Sequence, residues 1–302
     1  MHIHSRFTGR LISQLIFALS LFPSLTRAVI VNPLPDCIEV TESSVIRWNM
    51  ASSGHLYASF TGTSLFGDCT LSDGRVVAYR TTYGGQTPAL YQINPADGSV
   101  SLLVQSTSGA GEVVALAPMR NGNLLACDNS LGFLSINPST LAYSVMGLTP
   151  SQPVNSMHTG GMATSPTGEI FAWISGFSPT FRVYSKLAKI DTDAHTVQFI
   201  GGYENLPASQ SFDAMAFAPD GRLFGFTTIN GGINGGPFQP NGIYQLDLQT
   251  GLPTLLSQRQ DLADVRGVVF LPEPAAPLSL LAAASALPFF IRTLRRRKTC
   301  RS

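Results

Sequence analysis

Met215-Ala-Phe-Ala-Pro219-Asp-Gly221-Arg-Leu-Phe224 is the stretch on which the reading of the fold turns. An apolar run stops at a proline, Asp and Gly follow, and a second apolar run begins. Proline has no N–H to give a sheet ladder, so it ends a strand. Asp bonds the backbone two residues on and Gly supplies a positive φ, which together make a tight turn. The stretch therefore predicts two antiparallel strands joined by a hairpin. It returns as Met162-Ala-Thr-Ser-Pro166-Thr-Gly168-Glu-Ile-Phe171 and as Leu116-Ala-Pro118-Met-Arg-Asn121-Gly122-Asn-Leu-Leu125. A fainter copy is Thr70-Leu-Ser-Asp73-Gly74-Arg-Val-Val77, and the four turn glycines are 48, 46 and 53 residues apart.

A second pattern follows each copy of the first. It reads Leu90-Tyr-Gln-Ile-Asn94-Pro-Ala-Asp-Gly98, then Leu134-Ser-Ile-Asn137-Pro-Ser-Thr140. It continues as Leu187-Ala-Lys-Ile-Asp191-Thr-Asp-Ala-His195 and Ile243-Tyr-Gln-Leu-Asp247-Leu-Gln-Thr-Gly251. Each unit thus holds four short strands and two hairpin turns, the period of a β-propeller blade. One such sheet cannot bury both faces alone, whereas neighbours packed round an axis can. The predicted fold class is all-β, a β-propeller of about five four-stranded blades, with six as the other count. A stacked β-solenoid and a sandwich are the competing architectures. Four units are clear. An orphan strand, Arg266 to Leu271, matches the first strand of a unit and is expected to close the ring by pairing with Ile38 to Phe60. The units resemble the loose repeats of exported propellers such as the YVTN and quinoprotein-like families.

The ends of the chain read differently. Met1 to Arg10 carries Arg6 and Arg10 and no acid, Leu11 to Leu25 is mostly apolar, and Thr26-Arg27-Ala28 offers a small-residue cleavage triplet. This is the pattern of a secretory signal peptide, residues 1–28, expected as a helix and excluded from the fold. At the other end stand Pro272-Glu273-Pro274, an apolar run of 17 residues from Ala275 to Ile291, and the cations Arg292, Arg295, Arg296, Arg297, Lys298 and Arg301. The run is at the lower limit of about 17 residues for a membrane-spanning helix. The cations should hold its far end on the cytoplasmic side. These three parts in this order resemble the C-terminal sorting signal of bacterial PEP-CTERM proteins, over residues 272–302. The resemblance implies recognition of the tripeptide by an exosortase-type membrane enzyme and a mature product at the cell surface or in extracellular polymer. Pro288 inside the run departs from an ideal helix. A plain tail anchor without processing is the alternative. The expected domains are a signal peptide at 1–28, a propeller-like domain at 29–271 and the sorting signal at 272–302.

The overall charge of +1 hides a segregation. Between Val29 and Pro272 there are 17 acidic and 10 basic residues, a net of −7. An acidic domain argues against nucleic acid as a partner, since phosphates need a basic face. Of the four cysteines, Cys300 follows the apolar run. Cys37 and Cys69 are a candidate disulfide in an oxidising exterior, and Cys127 is expected as a buried thiol.

Chemistry is harder to find. His158, Glu112 and Asp213 each precede a first strand of a unit, so they are the candidate catalytic residues that could meet near the axis; Asp128 is a weaker one. His55 carries less still, and His195 occupies the turn position held elsewhere by Gly98 and Gly251. Asp191-Thr-Asp193 invites a calcium reading, but Asp191 aligns with Asn94, Asn137 and Asp247, which points to turn capping. No cysteine or histidine pair has zinc spacing, and neither a nucleophile elbow nor a phosphate loop occurs, so no metal or cofactor is expected. The long insertions at Ile229 to Gly242 and Gly176 to Tyr184 fall between second and third strands and should share one rim. The leading expectation is an exported propeller that binds a polysaccharide or protein without catalysis. The alternative is a propeller enzyme, such as a metal-dependent lactonase or a lyase, with its site at the channel mouth.

Overall fold

The computed structural model describes residues 36–271, apart from 42–43, 50–53, 61–63, 83–84, 178, 180–182, 202–211, 228–241 and 259–264. The signal peptide, the sorting tripeptide, the apolar run with its cations, and most of the insertion at 229–242 lie outside the described residues. Among the described residues no helix is long and apolar enough to cross a membrane.

The described chain is all β. Three strands, β1 (Cys37–Thr41), β2 (Ser44–Asn49) and β3 (Gly54–Phe60), come first. Blade 1 holds β4 (Leu65–Thr70), β5 (Val76–Arg80), β6 (Ala89–Ile93) and β7 (Val100–Gln105). Blade 2 holds β8 (Val113–Pro118), β9 (Leu124–Asp128), β10 (Gly132–Ile136) and β11 (Tyr143–Val145). A two-residue strand, β12 (Thr149–Pro150), runs parallel to the outer edge of blade 3. That blade holds β13 (His158–Thr164), β14 (Ile170–Phe177), β15 (Val183–Asp191) and β16 (Thr196–Phe199). Blade 4 holds β17 (Ala214–Phe217), β18 (Leu223–Thr227), β19 (Gly242–Leu246) and β20 (Pro253–Gln258). The last strand, β21 (Val265–Phe270), pairs with β1 and completes blade 5 in the order β21-β1-β2-β3. The innermost strands β4, β8, β13, β17 and β21 contact one another in cyclic order, so the ring is closed. The orphan strand does close the ring, and the blade count is five.

The turns form as their residues dictate. Gly74, Gly122, Gly168 and Gly221 all take φ between +82° and +87°. In the second turn the residue four after the Asn or Asp has positive φ in every blade that carries the pattern: Gly98 at +71°, Leu141 at +59°, His195 at +55° and Gly251 at +71°. Asn94, Asn137, Asp191 and Asp247 each accept the amide two residues on at 2.8–3.0 Å. Asp191 is therefore a turn cap, as its place in the repeat implied. The backbone amides it accepts, first that of Ala194, hold its carboxyl below the usual range.

The core is a set of apolar layers between neighbouring blades. Ile38, Val40 and Val45 pack on Leu65 and Val76 between blades 5 and 1. Val77 and Leu90 meet Leu116 and Leu124 between blades 1 and 2. Trp173 meets Phe212 edge to face at 4.6 Å between blades 3 and 4, and Phe224 meets Phe270 at 5.2 Å between blades 4 and 5. Five sheets round one axis force the inner strands close together, and glycines admit the approach. A Cβ on Gly161 would lie 2.8 Å from the carbonyl carbon of Ala214, and one on Gly67 3.0 Å from the Cα of Ala115. Gly267 stands in the same relation to Asp68. Gly67 adds a bulge, with φ +53° and a register shift between Phe66 and Asp68.

That bulge corrects one expectation. Cys37 and Cys69 form no disulfide with each other, and both are buried, as is Cys127. Side chains alternate along a strand. Ile38 and Val40 face blade 1, so Cys37 faces the other way. The bulge turns Cys69 towards blade 2, although Leu65 on the same strand faces blade 5. The two thiols thus lie on opposite sides of the layers between them.

Alkylation in urea without reductant should modify Cys37, Cys69 and Cys127, and none of them in native buffer; mass spectrometry reads the difference. Gly161→Ala should cost about 1–3 kcal/mol by overpacking, seen as a lower urea midpoint with unchanged slope.

Candidate functional site

The ring has two chemically different faces. Inner strands run from one face to the other, so the hairpin turns at 71–75, 119–123, 165–169 and 218–222 gather on what is here the turn face. The connections before each inner strand, and those between second and third strands, gather on the opposite loop face.

The turn face carries the ion pairs found among the described residues: Arg47–Asp36 at 3.0 Å, Arg75–Asp73 at 2.7 Å, Lys189–Glu169 at 2.6 Å and Arg222–Asp220 at 2.7 Å. The loop face presents hydroxyls, amides and glycines in stretches such as Thr81–Thr82, Gln86–Pro88, Gln105–Gly111, Asn129–Gly132 and Ser151–Ser156, beside the charged or ionisable Arg80, Glu112, His158 and Asp213. Its loops are tied to one another. The Tyr79 hydroxyl donates to the Ala110 carbonyl at 2.7 Å, and Thr82 donates to the Gly111 carbonyl through its amide at 2.7 Å and its hydroxyl at 2.9 Å. On blade 3, the Tyr184 hydroxyl donates to the Ser156 carbonyl at 2.7 Å and the Asn155 amide to the Phe177 carbonyl at 2.8 Å. These described loops are therefore held in place before any ligand arrives, which lowers the ordering cost of binding. Phe177, at the end of β14, is an exposed aromatic on this face.

The sequence-derived candidates sit on this rim. Glu112 is exposed and turned to its own blade: Ser130 donates to its Oε2 at 3.0 Å, and its amide donates to Asp128 Oδ2 at 2.8 Å. Asp128 is buried and its Oδ1 accepts the amides of Ser130 and Leu131, so it is a loop cap. His158 is exposed at the head of β13, and Asp213 is half-buried before β17 with its amide on the Phe226 carbonyl. Among the described residues no three His, Cys, Asp or Glu side chains lie close enough to hold a metal ion. Pro272, Glu273, Pro274 and the cations from Arg292 to Lys298 lie outside the described residues, and His55 is placed only by its backbone, paired with Trp48 on β2–β3.

Buried ionisable groups are what sequence reasoning missed. An axial cavity of about 140 Å³ is lined by Asp68, Thr70, Leu116, Met162, Met215 and Phe270 among others. Asp68 is buried and neither of its oxygens has a well-formed hydrogen bond. Burial pushes its pKa well up, the Glu39 carboxylate adds to this, and the nearby amides of Asp68 and Val268 offset only part. Glu39 is itself buried and accepts the Trp48 indole N–H. Lys186 on β15 is also buried, and desolvation lowers its pKa. Burial favours the neutral form of the Asp68 carboxyl, which can donate a hydrogen bond where an ionised one could not. The signal for Asp68 was Gly67, since the bulge turns the following residue inward.

No family model matches the chain, and no curated protein matches it. Solved structures resemble its fold. One from a nidogen/laminin complex has a TM-score of 0.48 at 11% identity, covering 78% of this chain and 97% of its own. TolB from Acinetobacter baumannii has a TM-score of 0.45 at 10% identity over 74% of this chain and 53% of its own length. A provisionally assigned gluconolactonase has a TM-score of 0.40 at 19% identity over 61% and 64%. Nothing about ligand or reaction is transferred by these similarities; the chain's own strand order and its cyclic inner-strand contacts make it a five-bladed β-propeller.

Because the folded pKa of Asp68 is raised, its contribution is favourable below the unfolded carboxylate range and is lost as pH climbs through the folded value. Asp68→Asn should therefore be more stable than the parent at pH 8, with the gap closing towards pH 4, in urea unfolding across that range.

Proposed function

We propose that this chain is an exported, surface-associated propeller that binds a neutral, hydroxyl-rich polymer at its loop face without catalysing a reaction on it, and that its C-terminal segment sorts it through an exosortase-type membrane enzyme. The observation that carries the binding reading is the contrast between the two faces. Hydroxyls and carboxamides both donate and accept hydrogen bonds, which suits a polysaccharide whose surface does the same. The stretches of described rim that carry no charge avoid desolvating ions that such a ligand could not pair. Phe177 gives a flat apolar surface beside those groups. The sorting part rests on the ordered tripeptide, apolar run and cations of residues 272–302.

The test is affinity electrophoresis and calorimetry with neutral bacterial exopolysaccharides, alongside metal content and product assays. Binding should occur with no change in the polymer, and Phe177→Ala should weaken it about tenfold, or about 1.4 kcal/mol. Shortening of the polymer, or stoichiometric bound metal with turnover, would replace this reading with the enzyme.

A further inference from the structure

Both ends of the folded ring leave from one place. The amide of Leu271, the residue after β21, donates to the carbonyl of Asp36, the residue before β1, at 2.8 Å. Asp36 also pairs with Arg47, whose Nη1 donates to the Pro95 carbonyl in a hairpin turn of blade 1. These contacts fix the two exits on the turn face, opposite Glu112, His158 and Phe177.

From this geometry we infer that the anchored chain carries its propeller with the turn face against the membrane and the loop face outward. This rests on the reading of residues 272–302 as a membrane-stop and sorting segment. Only Pro272, Glu273 and Pro274 separate Leu271 from the apolar run. Four residue steps span at most about 14 Å, and the headgroup zone of one leaflet takes about 5–7 Å of that. A domain of this length has a radius of gyration of about 17 Å. The tether is shorter than that radius, so the ring cannot roll over to bring its loop face to the lipid.

The character of the turn face fits standing against headgroups rather than sinking between them. Arg47, Arg75, Lys189 and Arg222 are tied to carboxylates in the four ion pairs, Arg120 donates to the Thr167 carbonyl, and the second hairpin turns add the acids Asp97, Asp191 and Asp247. Backbone amides, with the Ser99 hydroxyl helping at Asp97, hold all three carboxyls below their usual range, so they stay charged. The surface in contact is thus hydrated and acidic, and the attachment is made by the tether alone. A processing enzyme that reads Pro272-Glu273-Pro274 must fit into this narrow gap, one residue from the last strand.

Full-length chain, with Cys300→Ser and one added cysteine, is expressed in a bacterial host lacking a processing enzyme. Spheroplasts are treated with a bulky polyethylene-glycol maleimide, and the labelling is compared with that in detergent. Ser72→Cys and Ala194→Cys on the turn face should label several-fold more slowly in the membrane than in detergent, and Thr107→Cys on the loop face equally in both. Inserting about 20 Gly/Ser residues after Leu271, with a reach of about 25 Å, should restore turn-face labelling. Equal labelling of both faces in membrane-held protein overturns the orientation. Full-length protein in the soluble fraction, arginines intact, overturns the sorting reading instead.

Discussion

Five twisted sheets can share one axis only if their inner strands nearly touch. Gly67, Gly161 and Gly267 make that approach possible, each opposing the backbone or a short side chain of the next inner strand. The apolar layers between blades, from Ile38 and Leu65 round to Phe224 and Phe270, depend on that spacing. So does closure, because β21 must lie between β17 and β4 while pairing with β1.

Closure has a consequence for chemistry. With inner strands so close, the axis holds a small cavity flanked by methionine, leucine and phenylalanine, and its acid is one buried carboxyl, Asp68. Loop residues before the inner strands are carried to the rim instead. Glu112 is occupied by Ser130 and the Asp128 loop, and His158 looks outward.

Among the described residues the same closure gathers the ion pairs on one face. In blades 1 and 4 the hairpin turn between first and second strands is built on Asp-Gly, and the arginine that follows pairs with that Asp. Connections on the other face must bridge longer gaps, and they are built from Ser, Thr, Gly and Asn, whose side chains can satisfy irregular backbone. The exits of both termini then fall on the charged side as a result of where β21 ends and β1 begins.

Local chemistry wrote the blade pattern into the sequence. Proline, Asp-Gly and Asn-Pro stop and turn strands wherever they stand, so the four units, the closing strand and the turn role of Asp191 and His195 were legible from residues 65–271 alone. Blade number, the fate of the cysteines and the burial of Asp68, Glu39 and Lys186 were not. Each depends on which side of a sheet a residue faces, and a single bulge, such as that at Gly67, exchanges the sides. Only the closed ring decides what stands on the other side of that sheet.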